Sequence, residues 1–107
     1  MPKQLYGLVK YPDRDVTITY VDNDLKALQE KVGGRIETVT ISEDLVFICN
    51  EESHIKKTKF NFGYDGKQFF GTVLILGLNG VEFADCPMKV SDARKFFPEL
   101  FLDEGVW

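Results

Sequence analysis

The chain has 107 residues, a formal net charge of −4 and 44% hydrophobic residues, which suits a single domain over residues 1–107. Its nine Phe, four Tyr and one Trp exclude a disordered chain, and the mild acidic balance argues against general binding of polyanions. Nothing at the N-terminus resembles a signal peptide, and no run reaches the roughly 20 apolar residues of a membrane span. We therefore expect a cytoplasmic protein that does not insert into membranes.

Two strands are predicted first. "LYGLVKY" and "VTITYV" flank the turn "PDRD", and the simplest arrangement is an antiparallel pair. In the second strand, Val16, Ile18 and Tyr20 share one face, while Thr17 and Thr19 share the other.

A helix is predicted over about residues 23–32. Asp22, Asn23 or Asp24 can cap its first N–H groups, and the spacing of Leu25, Leu28 and Val32 makes one apolar stripe. The pair Gly33-Gly34 follows the helix and precedes a strand. A phosphate-binding loop needs the opposite order, with glycines ahead of a helix. The pair is therefore predicted to end the helix, because glycine adopts left-handed backbone conformations without steric strain.

The rest of the chain reads mainly as strands. "RIETVTI" is a strand, and the apolar runs "LVFIC" and "FFGTVLILGL" predict strands that are covered on both faces or central in the sheet. Asn79-Gly80 predicts a hairpin with a two-residue type I′ turn into "VEFADC". Ser91 is expected to cap a short C-terminal helix that ends before Pro98. The predicted fold is α+β, with a mainly antiparallel sheet of five or six strands, one helix (about 23–32) packed on it and a short C-terminal helix.

The order "DLKALQEKVGGRIETVTISEDLVFICNEE", an Ile-Lys segment and "FFGTVLILG" resembles the family catalogued as domain of unknown function 3846, over about residues 15–80. The positions that carry the resemblance are Leu28, Gln29, Val32, Gly33, Gly34, Ile36, Glu37, Asn50, Glu51, Glu52, Gly71 and Thr72.

Members of that family occur in bacteriophages, plasmids and other mobile elements. The resemblance therefore implies a mobile-element protein in the cytoplasm of a bacterial cell or a phage-infected host. It implies no activity. The chain departs from the family in "SHIKKTKFNFGYDGKQ", where many relatives carry a Gly-, Pro- and Asn-containing segment. A function of that segment in relatives does not transfer with the resemblance.

Three polar residues, Asn50, Glu51 and Glu52, follow an apolar strand. Two carboxylates there could hold a divalent cation or act as acid and base. Neighbouring side chains on a strand point in opposite directions, however, which favours an ordinary solvated strand end. Arg35 could grip a carboxylate or phosphate in a bidentate manner, although an ion pair with Glu37 is the more ordinary interpretation.

The segment "KKTKFNFGYDGKQFF", residues 56–70, interleaves lysines with aromatic residues. Lys57 and Lys59 with Tyr64 and Phe69 could form a platform for single-stranded nucleic acid. The alternation favours a β-hairpin instead, with Phe60, Phe62 and Tyr64 facing the core and Asp65-Gly66 in the turn. Of the consecutive Phe69 and Phe70, one is expected in the core, and the C-terminal helix could cover the other.

The chemistry-bearing residues form no known catalytic motif. His54 is the only histidine and lies in a charged loop, and the two cysteines, Cys49 and Cys86, have no metal-ligand spacing. Reduced, buried thiols fit a cytosolic protein better than a disulfide does. No CxxC, HExxH, Walker or dinucleotide fingerprint is present. We therefore expect neither a cofactor nor a metal, and a hydrolase built on Glu51, Glu52 or His54 ranks last among the functions considered.

The first functional hypothesis is a non-catalytic accessory protein that binds a protein partner and modulates a host or phage complex. Its interface would be a sheet edge or an exposed apolar patch, in residues 96–107 or in the aromatic segment 60–70. The alternative is binding of nucleic acid or a nucleotide through residues 56–70. The residues predicted to contact a ligand or partner are Arg35, Asn50, Glu51, Lys57, Lys59, Tyr64 and Phe69. Both a monomer and a homodimer are compatible with the sequence.

Overall fold

A computed structural model describes residues 4–53, 55–56 and 58–102. Within these residues the chain forms eight strands, two α-helices and one 3₁₀ helix. In chain order they are β1 Gln4–Lys10, β2 Thr17–Asp22, α1 Leu25–Val32, β3 Ile36–Ser42, β4 Leu45–Asn50, β5 Phe60–Tyr64, β6 Lys67–Phe70, β7 Val73–Asn79, β8 Glu82–Ala84, α2 Val90–Phe96 and the 3₁₀ helix Pro98–Leu100. The predicted α+β class is confirmed. Of the helices among the described residues, none is long and apolar enough to cross a membrane.

Six strands form one antiparallel sheet in the order β2-β1-β7-β4-β3, with β8 paired to β7. β1 pairs with the first half of β7, and β8 pairs with residues 77–79 at its end. β5 and β6 form a separate two-stranded hairpin. The first two strands pair over six residues, as predicted for the segment around "PDRD".

The large sheet is covered on both faces. One face packs against α1 through a cluster that comprises Leu5, Val21, Leu28, Val32, Val46, Ile48, Leu74 and Leu76. The other face packs against the hairpin, α2 and the 3₁₀ helix through a cluster that includes Leu8, Phe47, Phe62, Phe69, Ile75, Ala93, Phe97 and Leu100. The central strands β4 and β7 contribute alternate residues to both clusters, which confirms the double coverage predicted for "LVFIC" and for the end of "FFGTVLILGL". The second run is not a single strand: Phe69 and Phe70 belong to β6, and β7 begins at Val73.

α1 begins and ends close to where the sequence predicts. The Asp24 carboxylate accepts a hydrogen bond from Ala27 N at 2.8 Å, and Gly33 ends the helix with a φ of 84°. Leu28 and Val32 are buried, but Leu25 is exposed. Leu25 therefore does not join the predicted stripe, because it is the first helical residue and lies one turn ahead of the first side chain buried against the sheet.

The β7–β8 hairpin forms as predicted, but its turn is shifted by one residue. Asn79 pairs with Glu82, so Gly80 and Val81 are the central residues. Gly80 has a φ of 66°, and Val81 is not among the residues with positive φ. This pattern fits a type II′ turn, which needs glycine only at its first central position. Asn79 stays in the strand, and the predicted type I′ turn is wrong.

α2 begins one residue earlier than its predicted cap. Lys89 is the N-cap residue, and its backbone N–H donates to the Asp92 carboxylate at 2.9 Å. Ser91 lies inside the first turn, so its predicted capping role is wrong. The helix ends at Phe96, and Pro98 opens the 3₁₀ helix, in agreement with the expectation that proline would stop α2.

Candidate functional site

Asn50 lies at the end of β4, where its amide contacts two parts of its own chain. Nδ2 donates to Gly33 O at 3.2 Å, and Oδ1 accepts from Glu52 N at 2.9 Å. The first hydrogen bond joins the end of α1 to β4, and the second closes the turn after β4. The amide of Asn50 therefore connects a helix end to a strand end.

The two glycines after α1 serve different purposes. Gly33 and Gly34 both donate their N–H groups to Gln29 O, at 2.8 and 2.9 Å. Gly33 needs its left-handed conformation. Gly34 leaves room for the Asn50 amide, since a Cβ atom there would lie 2.7 Å from Nδ2 of Asn50 and the amide would have to move. The pair ends a helix, as predicted.

Arg35 and Glu37 do not pair with each other, so that interpretation is wrong. Nη1 of Arg35 lies 3.9 Å from Oε2 of Glu51, and Oε2 of Glu37 lies 3.5 Å from Nζ of Lys67. The register explains the difference, because Arg35 O accepts the N–H of Glu51 and so places their side chains next to each other. Lys67 belongs to β6, so its ion pair joins the hairpin to the large sheet.

Glu52 pairs in a different direction from Glu51. Nζ of Lys56 donates to Oε1 of Glu52 at 3.0 Å, and this hydrogen bond lowers the pKa of Glu52. The two neighbouring carboxylates thus have separate partners, as expected for consecutive residues at a strand end. Across residues 4–53, 55–56 and 58–102, no three His, Cys, Asp or Glu side chains are grouped closely enough to hold a metal ion.

The inner face of the β5–β6 hairpin belongs to the core. Phe62 and Phe69 stack at 4.9 Å between ring centroids, and Phe47 packs edge-on against both at 5.7–5.8 Å. Tyr64 is half-buried against Phe97 at 5.4 Å. Phe69 is only 1% exposed, so the structure leaves its ring no free face for the predicted ligand contact.

A β-bulge in β5 changes the predicted direction of Phe60. The register shifts between Phe60 and Phe62, so Asn61 turns into the interior and Phe60 is 49% exposed. The prediction that Phe60 faces the core is therefore wrong, because the extra residue breaks the alternation on which it relied. Asp65 and Gly66 form the turn as predicted, both with positive φ.

The bulged Asn61 binds a buried lysine that sequence reasoning missed. Lys10 is 1% exposed, and its Nζ donates to Tyr11 O at 2.7 Å and to Asn61 Oδ1 at 2.9 Å. In return, Asn61 Nδ2 donates to Lys10 O at 2.8 Å and to Gly71 O at 2.7 Å. Burial lowers the pKa of Lys10. Two features of the sequence could have indicated this contact: a lysine within an apolar strand and an asparagine between two phenylalanines.

The outer face of the hairpin comprises Phe60, Gly63, Gln68 and Phe70. Phe60 packs edge-on against Phe70, with 5.5 Å between ring centroids. Gly63 lies opposite Gln68 and has no side chain to fill the surface between them. A shallow hollow of about 400 Å³ opens beside Phe70 and is lined by Gly66, Lys67, Gln68 and Phe70.

The lysines of residues 56–70 are not all available to a ligand. Lys56 pairs with Glu52 and Lys67 with Glu37. Lys59 is exposed and forms no ion pair within the part of the chain that the structure describes. The predicted contact Lys57, and also His54, lie outside the described residues.

A model of the family described as domain of unknown function (DUF3846) matches residues 5–97. This chain belongs to that family. No curated protein and no solved structure matches the chain. The matched region extends beyond the residues that carry the resemblance and takes in every strand except the first residue of β1.

Several residues that carry the DUF3846 resemblance contact one another. Gly33, Gly34 and Asn50 meet where α1 ends beside β4. Gly71 closes the base of the hairpin: its N–H donates to Lys59 O at 2.8 Å, and a Cβ atom there would lie 2.9 Å from Cγ2 of Thr58. These positions maintain the scaffold at two junctions, and the exposed aromatic residues lie between them in sequence.

Both cysteines of this DUF3846 member are free and buried. Burial raises the pKa of Cys49 to about 11, with a smaller contribution from Glu37, and it also raises the pKa of Cys86. Since thiolates are the reactive form, both thiols are poor nucleophiles at neutral pH. The predicted reduced, buried state is confirmed.

A second hollow, of about 630 Å³, lies where the β3–β4 turn faces the β7–β8 hairpin. It is lined by Thr40, Ser42, Glu43, Asp44, Leu78, Asn79 and Gly80. Ser42 Oγ donates to Asp44 Oδ1 at 2.8 Å, within the turn itself. None of the residues predicted to contact a ligand lines this hollow.

Proposed function

We propose that this chain is a non-catalytic accessory module that binds a protein partner through the outer face of the hairpin. The observation that carries the proposal is the bulge at Asn61. A regular β5 would turn Phe60 towards the core, and the bulge turns it towards solvent. Bulges are found next to functional sites because they redirect side chains.

The exposed aromatic pair is held in place from below. Asn61 joins β5 to Lys10 of β1 and to Gly71 through three hydrogen bonds, and Nζ of the buried Lys10 also donates to Tyr11 O. Burial of a charged lysine is unfavourable unless its N–H groups are satisfied. Because Asn61 is held by these bonds next to Phe60, the backbone that carries the exposed ring is fixed before binding, and less conformational entropy is lost when a partner binds.

The surface indicates the chemistry of its partner. The hollow beside Phe70 has one aromatic wall, with Lys67 and Gln68 beside it, which suits an apolar side chain with a polar neighbour. Lys59 lies next to Phe60 in sequence and is exposed. We infer a partner segment that carries an aromatic or aliphatic anchor followed or preceded by an acidic residue.

The location of this surface agrees with an accessory role. Most of the hairpin, residues 60–68, lies in the segment that departs from the DUF3846 pattern, whereas the two junctions use residues of the pattern. A shared scaffold with a divergent hairpin would let relatives bind different partners. We propose that the partner is a component of a host or phage complex, encountered in the cytoplasm by a protein that a phage, plasmid or prophage encodes.

A pull-down from bacterial lysate with mass spectrometry tests this function. Phe60→Asp should abolish capture of the partner, because a charge would enter the apolar contact. The matched control is Phe96→Asp on α2, where the native ring is 67% exposed and lies on a different element. Thermal unfolding of all three proteins establishes that they are folded. The proposal fails if Phe60→Asp captures the same partner as the unchanged chain.

Binding of single-stranded nucleic acid is the second candidate function. Phe60 with Lys59 beside it offers a ring for base stacking and a positive charge for phosphate. It ranks second because Lys56 and Lys67 are already paired with carboxylates and the chain carries a net charge of −4. Titration with a fluorescent oligonucleotide at two salt concentrations separates the candidates: affinity that falls steeply with salt supports this function, and no binding at low salt removes it.

A further inference from the structure

Among the described residues, the outer edge of β2 has no partner strand; only its start is flanked, where the Val16 N–H donates to Leu100 O at 3.1 Å. β2 pairs with β1 over six consecutive residues without a register shift, and in the described part of the chain no strand pairs with its other side. Sheet edges in native proteins are usually guarded by lysine, proline or a bulge, because unpaired N–H and C=O groups attract other strands. Residues 17–21, "TITYV", contain none of these devices.

The opposite edge of the sheet is guarded. β3 has a register shift between Thr40 and Ser42, which interrupts the regular row of hydrogen-bonding groups. Glu37 places a charge on the same strand, and its ion pair with Lys67 joins β3 to the hairpin on one face of the sheet. The two edges therefore differ in their readiness to pair with another strand.

β2 also carries two exposed apolar side chains on one face. Ile18 is 51% exposed and Tyr20 is 63% exposed. The ring of Tyr6 packs edge-on against that of Tyr20 at 5.9 Å, and the hydroxyl of Tyr6 donates to Met88 O at 2.9 Å. The Tyr20 ring is thus supported from one side and open on the other.

We propose that β2 pairs with β2 of a second copy of this chain, antiparallel, across a two-fold axis at Thr19. In this register Thr19 faces its own counterpart, Ile18 faces Tyr20 of the second copy, and Thr17 faces Val21. Cross-strand pairs of aromatic with β-branched residues, and of threonine with threonine, are favourable. The two six-stranded sheets become one continuous sheet, and the interface is isologous.

The neighbouring registers are poorer. Facing residues of the two copies must lie on the same face of the sheet, so the two-fold axis must pass through a residue and not between two residues. The nearest alternative axes are therefore at Ile18 and Tyr20. An axis at Tyr20 sets Ile18 opposite Asp22, and an axis at Ile18 sets Tyr20 opposite Val16, whose N–H already donates to Leu100 O. The register at Thr19 alone matches both exposed apolar residues with each other, and it places no like charges opposite one another.

A single strand pair makes a small interface. Its area falls near the lower end of specific contacts, roughly 800–1,200 Å², and we expect a dissociation constant of about 10–100 μM. Sedimentation equilibrium over this concentration range should show wild type approaching the mass of two chains. Thr19→Lys should remain a monomer, because two lysines would face each other across the axis. Thr38→Lys, at an exposed threonine of β3, is the matched control and should dimerise as wild type does.

Disulfide trapping tests the register itself. Facing residues on antiparallel strands have Cα atoms about 4.5–5.5 Å apart, within reach of a disulfide. Thr19→Cys should therefore cross-link to a covalent dimer under mild oxidation. Thr17→Cys should not, since the two substituted positions would lie about 13 Å apart, and Thr38→Cys should not either. The native thiols are buried and add no background to the cross-linking.

A wild type that stays monomeric throughout the concentration range, or equal cross-linking by the three cysteine variants, would overturn the proposal.

Discussion

The junction between α1 and β4 and the hairpin β5–β6 both contain residues that the sequence indicates as candidate contacts. The polar residues of the junction stabilise its own backbone, whereas those of the hairpin change which side chain is exposed. At the junction, the Asn50 amide forms hydrogen bonds with Gly33 O and Glu52 N, so it stabilises the backbone around it. In the hairpin, Asn61 is buried on Lys10 and Gly71, and the consequence appears on the other side of the strand, where Phe60 faces solvent.

The difference shows that a residue pattern shared with a family can mark scaffold positions and not a reaction centre. The Gly33-Gly34 and Asn50 positions are explained by one close approach and two hydrogen bonds. Of the exposed aromatic pair, Phe60 lies in the segment that departs from the pattern, and Phe70 lies in "FFGTVLILG", which belongs to the pattern. If this comparison is right, substitutions at the junction should change stability alone, and substitutions on the outer face should change binding alone.

The largest effect is expected from Asn61→Ala. The change leaves Nζ of Lys10 with one fewer acceptor and leaves Lys10 O and Gly71 O without their donor. Hydrogen bonds to charged groups contribute about 1.5–3 kcal/mol, and unsatisfied buried groups add to the loss, so we expect destabilisation of about 3 kcal/mol. Urea unfolding measures it, with Asn79→Ala at an exposed strand end as a control near zero. A loss below about 1 kcal/mol would show that the Lys10–Asn61 contact does not hold the hairpin.

The next effect is expected at Gly34. A Cβ atom there would lie 2.7 Å from Nδ2 of Asn50, so in Gly34→Ala the Asn50 amide should move and lose its hydrogen bonds, with destabilisation of about 1 kcal/mol. In an Asn50→Ala background the clash disappears and the same change should be nearly neutral. A double-mutant cycle measures this coupling. Additive losses would mean that Gly34 and Asn50 act independently, and the junction would then need another explanation.

Most of the fold could be predicted from the sequence, because the signals were local. Asp24 and Gly33 mark the two ends of α1 by capping chemistry, and Asp65-Gly66 marks a tight turn. The unbroken apolar runs of β4 and β7 identify central strands. Each of these inferences depends on residues that are close together in the sequence, within a single turn, strand or helix end.

The parts that could not be predicted depend on residues far apart in the chain. The bulge at Asn61 is stabilised by Lys10, 51 residues away, and no alternation within β5 reveals it. The same holds for Arg35, whose partner is fixed by the pairing of β3 with β4, and for the exposure of Ile18 and Tyr20, which follows from the edge position of β2. Surfaces available for binding are therefore the least predictable part of this molecule.

A pH-dependent effect is expected from Cys49, which lies between the two regions on β4. Burial raises its pKa to about 11 from an unperturbed value of 9.0. The folded state holds the thiol proton more tightly than the unfolded state does. The free energy of unfolding therefore keeps its full contribution from Cys49 below pH 9 and falls by roughly 2 kcal/mol as the pH rises from 9 towards 11. Cys49→Ala should flatten this dependence relative to wild type in unfolding curves at pH 8.5 and 10.5. A variant that retains the full slope would assign it to other groups.

The smallest effect on stability is expected from Arg35 and Glu51. Their side chains are 3.9 Å apart and largely solvent-exposed, so Arg35→Ala and Glu51→Ala should each change the free energy of unfolding by less than about 0.5 kcal/mol.

The same two variants also test which surface binds the partner. If the hairpin is the binding surface, both variants capture the partner as wild type does while Phe60→Asp does not. If instead Arg35→Ala loses the partner without loss of stability, the solvated strand end is the recognition site and the comparison between the two regions is reversed. Both variants are expected to fold normally, so this pair can identify the binding surface without interference from unfolding.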